Sequence, residues 1–149
     1  MAIYWFTGQP GHGKTVLAKS LKEYIEYNYS HKQVLHIDGD DLREILINKD
    51  YSKQGRENNI RTAQSIALYL DNKGYDVVVS LVAPYKELRE EFKSRTQTQE
   101  IYVHTTEERG REQFHVQDYE APTENFIDID TTDDTPESSL VYLINKLGI

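Results

Sequence analysis

A short apolar run, Ala2-Ile3-Tyr4-Trp5-Phe6, leads straight into Gly8-Gln9-Pro10-Gly11-His12-Gly13-Lys14-Thr15. This G-x-x-x-x-G-K-[ST] pattern constrains the fold more than any other part of the chain. Its glycines let backbone N–H groups turn inward around a phosphate with no Cβ in the way. A helix opening at Lys14 adds the positive end of its dipole. The Lys14 ammonium is then expected to bridge the β- and γ-phosphates of ATP, and the Thr15 hydroxyl to bind Mg²⁺. Gly8, Gln9, Pro10, Gly11, His12, Gly13, Lys14 and Thr15 are thus the candidate nucleotide contacts, with Lys14 also catalytic; His12 fills a variable place and has no catalytic part. The competing explanation is an ordinary Gly-rich turn. A strand before it and an amphipathic helix after it favour the phosphate loop.

The rest of the chain alternates in the same way. Apolar runs at residues 2–7, 34–37, 77–81, 100–103 and 125–128 read as strands, and Val77-Val78-Val79 has the unbroken β-branched character of burial on both faces. Helical spacing marks stretches from about Lys14, Asp41 to Asn48, Arg56 to Asn72, Pro84 to Ser94, and from Pro136 onward. Strands alternating with helices predict an α/β fold, a P-loop NTPase-type three-layer sandwich around a parallel sheet of about five strands. With 149 residues the chain is expected to form one domain. The polar stretch from Thr105 to Asn125 lacks a clear period and reads as a loop.

Composition narrows the function classes. A net charge of −8 argues against long nucleic acid or an anionic membrane as partner. The chain has no cysteine, which excludes disulfides and thiolate chemistry and fits a cytoplasmic setting. No apolar stretch approaches the roughly 20 residues of a membrane span.

In open α/β sheets ligands bind beyond the carboxyl ends of the strands. Asp38, Asp40 and Asp41 follow the second strand at such an end. One carboxylate is expected to accept the proton of an acceptor hydroxyl while another helps hold hydrated Mg²⁺. The alternative is helix N-capping, for which Asp is among the preferred residues.

Five segments together resemble the adenylylsulfate kinase family, from residue 3 to about 131. After the phosphate loop come Asp38-Gly39-Asp40-Asp41-Leu42-Arg43, similar to DGDNxR, and Arg56-Glu57-Asn58-Asn59-Ile60-Arg61, similar to DRxENIR. Val82-Ala83-Pro84-Tyr85 stands where the family has ISPY or ISPF, and Tyr119-Glu120-Ala121-Pro122 matches YEAP. The resemblance implies phosphoryl transfer from ATP to the 3′-hydroxyl of adenosine 5′-phosphosulfate. It implies Asp40 as catalytic base and Asp38 beside the metal and the substrate. Arg43, Arg56 and Asn59 would grip the acceptor, with the backbone of Val82 and Ala83 alongside. Family members often pair, so a homodimer is compatible with it. Two guanidiniums can bind a phosphosulfate through paired charge-assisted hydrogen bonds, whatever the ancestry.

The chain departs from the family pattern at several points. Ala83 replaces a serine, Gly55 an aspartate and Thr62 an arginine. The lid helix before YEAP is missing, and only Thr105 to Asp118 fills that space. Residues 105–125 therefore read as a shortened lid. In it Arg109 or Arg111 stands in for the lid cations against the phosphates, with Arg109 assigned to the nucleotide, and Phe114 stacks on a base. Two other functions stay open: a kinase of a different small-molecule or nucleotide acceptor, and a nucleotide-binding protein without chemistry. Retention of Lys14, Thr15 and Asp40 argues against the second.

Overall fold

A computed structural model describes residues 2–149. Its elements run β1 (Ile3–Thr7), α1 (Lys14–Asn28), β2 (Val34–Asp38), α2 (Gly39–Leu46), α3 (Lys53–Asn72) and β3 (Asp76–Ser80). There follow α4 (Lys86–Arg95), β4 (Thr98–His104), a single 3-10 turn (Glu112–Phe114), β5 (Phe126–Asp130) and α5 (Pro136–Leu147). The strands form one parallel sheet in the order β2-β3-β1-β4-β5. The expected α/β architecture and strand number are therefore observed.

Burial explains that order. Every residue of β1 and β3 is buried, as central strands covered on both faces must be. Because strand side chains alternate, Ile3 and Trp5 pack with α3 and α4 residues such as Ile60, Ala63 and Phe92. Tyr4 and Phe6 point the other way, against Leu17, Leu21 and Ile25 of α1 and Leu143 of α5. Each such aliphatic side chain contributes about 1.5–3 kcal/mol on burial. Three layers result.

Three helices begin away from their expected residues, the first being α2, which opens at Gly39 directly after β2 rather than at Asp41. α3 opens at Lys53 rather than Arg56 because the Ser52 hydroxyl caps it, accepting from Gly55 N–H at 3.3 Å. α4 opens at Lys86 rather than Pro84 because Pro84 still belongs to a loop, its carbonyl accepting from Glu120 N–H at 2.9 Å. Among the described residues no helix is long and apolar enough to cross a membrane.

A buried charge cluster ties α4 to the sheet. Arg89 Nε donates to Glu100 Oε2 at 2.8 Å, and Lys93 Nζ donates to Glu100 Oε1 at 2.6 Å. Arg89 also donates to Ala83 O at 2.6 Å and to Glu120 O. One guanidinium thus braces both the turn after β3 and the segment Tyr119–Pro122. Removing one partner of a buried pair costs about 3–5 kcal/mol. Arg89→Met is expected to fall near the lower end, since Lys93 still faces Glu100, and urea unfolding should show a lower midpoint with an unchanged slope.

Candidate active site

The loops at the carboxyl edge of the sheet enclose a cavity of about 580 Å³. The order β2-β3-β1-β4-β5 reverses direction around β1, so the crevice opens beside the loop that follows it. Gly8 ends the strand with φ +148°, and a Cβ there would lie 2.1 Å from Val103 O. Only glycine allows the loop to start this close to β4. Gly13 then turns left-handed at φ +105° and delivers Lys14 to the first turn of α1.

Lys14 is 8% exposed and its Nζ donates to Gln9 O at 3.0 Å. Burial lowers its pKa to about 8, against the opposing pull of Asp40 and Asp38. An ammonium so enclosed suits an anionic ligand. Thr15 Oγ1 donates to Asp38 Oδ1 at 3.0 Å, which places a hydroxyl and a carboxylate side by side. Asp38 Oδ1 also accepts from Ser80 Oγ at 2.6 Å, and Ser80 Oγ lies 2.7 Å from His36 Nε2. Since the Ser80 proton goes to Asp38, its oxygen receives the His36 N–H, which assigns the tautomer from the network. Burial works to raise the Asp38 pKa, yet the hydrogen bonds from Ser80 and Thr15 carry it below the ordinary carboxylate value. Asp38 is an anion held in place.

Asp40 is exposed, sits in the first turn of α2 and lines the cavity. That helix begins at Gly39, with Asp38 at the preceding position and no side-chain capping bond there. Asp38 holds the capping position, where the Asp41 backbone N–H adds to the lowering of its pKa, and Asp40 lies past that position, within the first turn.

Opposite the phosphate loop lie Arg43, Arg56, Asn59, Val82 and Ala83, all facing the same cavity. Arg43 is fixed by its donations to Asn48 O at 3.2 Å and Asp50 O at 3.0 Å, and by the Tyr51 ring 4.1 Å from its Cζ. Arg56 pairs loosely with Asp118 at 3.7 Å. Asn59 is 3% exposed, and its Oδ1 is buried without a hydrogen-bond partner. A buried acceptor left open costs roughly 1–3 kcal/mol, which a ligand N–H can recover. Ala83 adopts φ 43°, turning the backbone of Val82 and Ala83 along the cavity wall.

Pro10, Gly11, Lys14 and Thr15 line the cavity directly, while Gly8, Gln9, His12 and Gly13 shape the loop behind it. His12 is buried, and burial chiefly lowers its pKa to about 4, so it stays neutral. Phe114 reaches the rim, 58% exposed. Arg109 does not line the cavity. Its guanidinium goes to Glu107 at 2.8 Å, Thr131 O at 2.9 Å and His12 O at 3.4 Å, so it braces the phosphate loop from behind. Arg111, from the same segment between β4 and β5, does face the cavity and bears electrostatically on Lys14.

Sequence reasoning passed over Ser80, His36, Tyr51 and Arg89. A polar residue closing the β-branched run Val77-Val78-Val79 was the only available signal for Ser80. His36 meets Ser80 from 44 residues away and Arg89 meets Glu120 from 31, separations that carry no local pattern.

A glycine loop with a buried lysine, and carboxylates beside it at the end of the next strand, is the arrangement of a P-loop phosphotransferase. The family model for adenylylsulphate kinase matches residues 1–143. A cytidine diphosphoramidate kinase of Campylobacter jejuni is 29% identical over 144 residues, covering 93% of this chain and 84% of that protein. An adenylyl-sulfate kinase of Staphylococcus epidermidis is 30% identical over 168 residues, covering 98% of this chain and 83% of that protein. The Mycobacterium tuberculosis APS kinase solved with AMPPNP and APS shares the fold at 19% identity, with a TM-score of 0.83 over 99% of this chain and 98% of that one. The chain belongs to the adenylylsulphate kinase family, and it is an ATP-dependent kinase.

Proposed function

We propose that the chain, acting as one kinase domain, transfers the γ-phosphate of ATP to the 3′-hydroxyl of adenosine 5′-phosphosulfate. The observation that carries this is the convergence of Lys14, Asp40, Arg43, Arg56 and Asn59 on one cavity. The buried Lys14 ammonium suits the β- and γ-phosphates. Thr15 and Asp38, 3.0 Å apart, are hard oxygen donors of the kind Mg²⁺ prefers. Mg²⁺ bound there would neutralise charge on the phosphoryl oxygens. Asp40 takes the proton of the acceptor hydroxyl as its oxygen bonds to the γ-phosphorus and the bond to the β-phosphate oxygen breaks. Arg43 and Arg56 hold the anionic end of the acceptor, and Asn59 Oδ1 takes an N–H from it. Residues 105–125 do the work of a longer lid, with Arg111 beside the phosphates.

A second acceptor is favoured by one observation. The cytidine diphosphoramidate kinase aligns with 93% of this chain and spans most of its own length in doing so. Cytidine diphosphoramidate is also a nucleotide bearing a substituted 5′ anhydride, which the same two arginines suit. An ADP-release assay with adenylylsulfate and cytidine diphosphoramidate in parallel tests both. Turnover with adenylylsulfate above cytidine diphosphoramidate is the expected result. The reverse preference assigns the second acceptor, and no turnover with either, beside demonstrable ATP binding, removes the reading.

A further inference from the structure

Gln9 sits in the phosphate loop, but its side chain points away from the cavity and meets the backbone of Val116. Its Nε2 donates to Val116 O at 2.9 Å, and Val116 N–H donates to its Oε1 at 2.8 Å. A carboxamide carries donor and acceptor on adjacent atoms, so here it imitates one rung of a β-ladder. Val116 is 8% exposed and lines the cavity together with Phe114 and His115.

Further contacts join the same two segments. The rings of His12 and His115 meet edge to face, centroids 5.0 Å apart. A Cβ on Gly11 would stand 3.0 Å from Arg111 Cβ, so the two backbones approach closely. Between them Glu112 stiffens the turn, its carboxylate accepting from the N–H groups of Arg109, Gly110 and Arg111. The wall on the acceptor side therefore rides on the loop that holds the nucleotide.

We propose that Gln9 is a positioning residue that couples the two halves of the site: through its carboxamide, nucleotide seated in the phosphate loop sets the placement of residues 112–116 against the acceptor. This rests on the kinase assignment and, for its kinetic arm, on the acceptor proposed above. A strap with no such role would also hold the segment down, so the test must read coupling and not stability alone.

Gln9→Met keeps the length and loses both bonds; Gln9→Glu keeps the acceptor and loses the donor. Amide exchange over residues 112–118 is followed with and without Mg·ATP, ATP affinity by calorimetry, and acceptor KM with adenylylsulfate and cytidine diphosphoramidate. In the original protein ATP is expected to slow exchange in this segment at least about fivefold. In Gln9→Met exchange is fast with or without ATP, ATP affinity stays within about threefold, and acceptor KM rises about tenfold, the loss expected from one or two hydrogen bonds. Gln9→Glu falls between. Exchange in Gln9→Met equal to the original, or ATP affinity and acceptor KM worsening by the same factor, overturns the proposal. The exchange arm decides even if neither acceptor is turned over.

Discussion

Lys14→Met should lower kcat by about 10³-fold, the scale seen when one group stabilising transition-state charge is removed, while leaving the ligand-free protein more stable than the original. The two effects have one cause. Burial holds the Lys14 pKa near 8, against an ordinary 10.5. The charged ammonium therefore destabilises the fold, by something of order 3 kcal/mol. That penalty is complete below pH 8 and shrinks as pH rises from 8 toward 10.5, because the unfolded chain then binds more protons than the native one. A methionine of similar length removes it, and thermal unfolding should shift upward by ~2–4 °C for each kcal/mol recovered. Bound phosphates reverse the balance by favouring the ammonium. ATP affinity of the original protein should accordingly fall about tenfold between pH 7 and pH 9, as proton uptake is added to binding. Calorimetry at the two pH values checks this, and a flat affinity would mean that another group carries the charge.

Asp40→Asn should lower kcat by about 10²–10⁴-fold, the usual contribution of a positioned base. In the proposed role the carboxylate acts on the acceptor, so ATP binding should not weaken. Stability separates this from a role in the helix. A first-turn acid contributes about 0.3–1 kcal/mol through the helix dipole. A loss of turnover with an unfolding midpoint nearly unchanged assigns Asp40 to chemistry. A loss of both in proportion assigns it to α2.

The parts of the site legible in the sequence are those whose chemistry is local. Gly8 to Thr15 form one continuous loop between β1 and α1, so eight consecutive letters specify it. Asp38 ends a recognisable strand and Asp40 opens the next helix, and the rule that ligands lie beyond strand ends pointed to the edge where both line the cavity. The burial of β1 and β3 was legible in the apolar residues 3–6 and 77–79. What stayed hidden depends on contacts between distant segments. Ser80 on β3 reaches both Asp38 and His36 of the neighbouring strand β2, and Arg89 reaches Glu120 from 31 residues away. Arg109 and Arg111, two positions apart in a stretch without periodicity, could not be told apart until the turn at Glu112 aimed one behind the loop and the other into the cavity.

The segment after β4 is pinned twice, to different bodies. Val116 is fastened to Gln9, while Tyr119 meets Thr7 Oγ1 at 2.9 Å and Glu120 is fastened to Pro84 and Arg89. Gln117 and Asp118 alone separate the anchors, a reach of about 10 Å at full stretch. A tether that short has no room for the sweep of a hinged arm. Tyr51 and Phe114 stand exposed at the cavity, and any movement that residues 117–118 permit is a matter of a few ångströms of stroke.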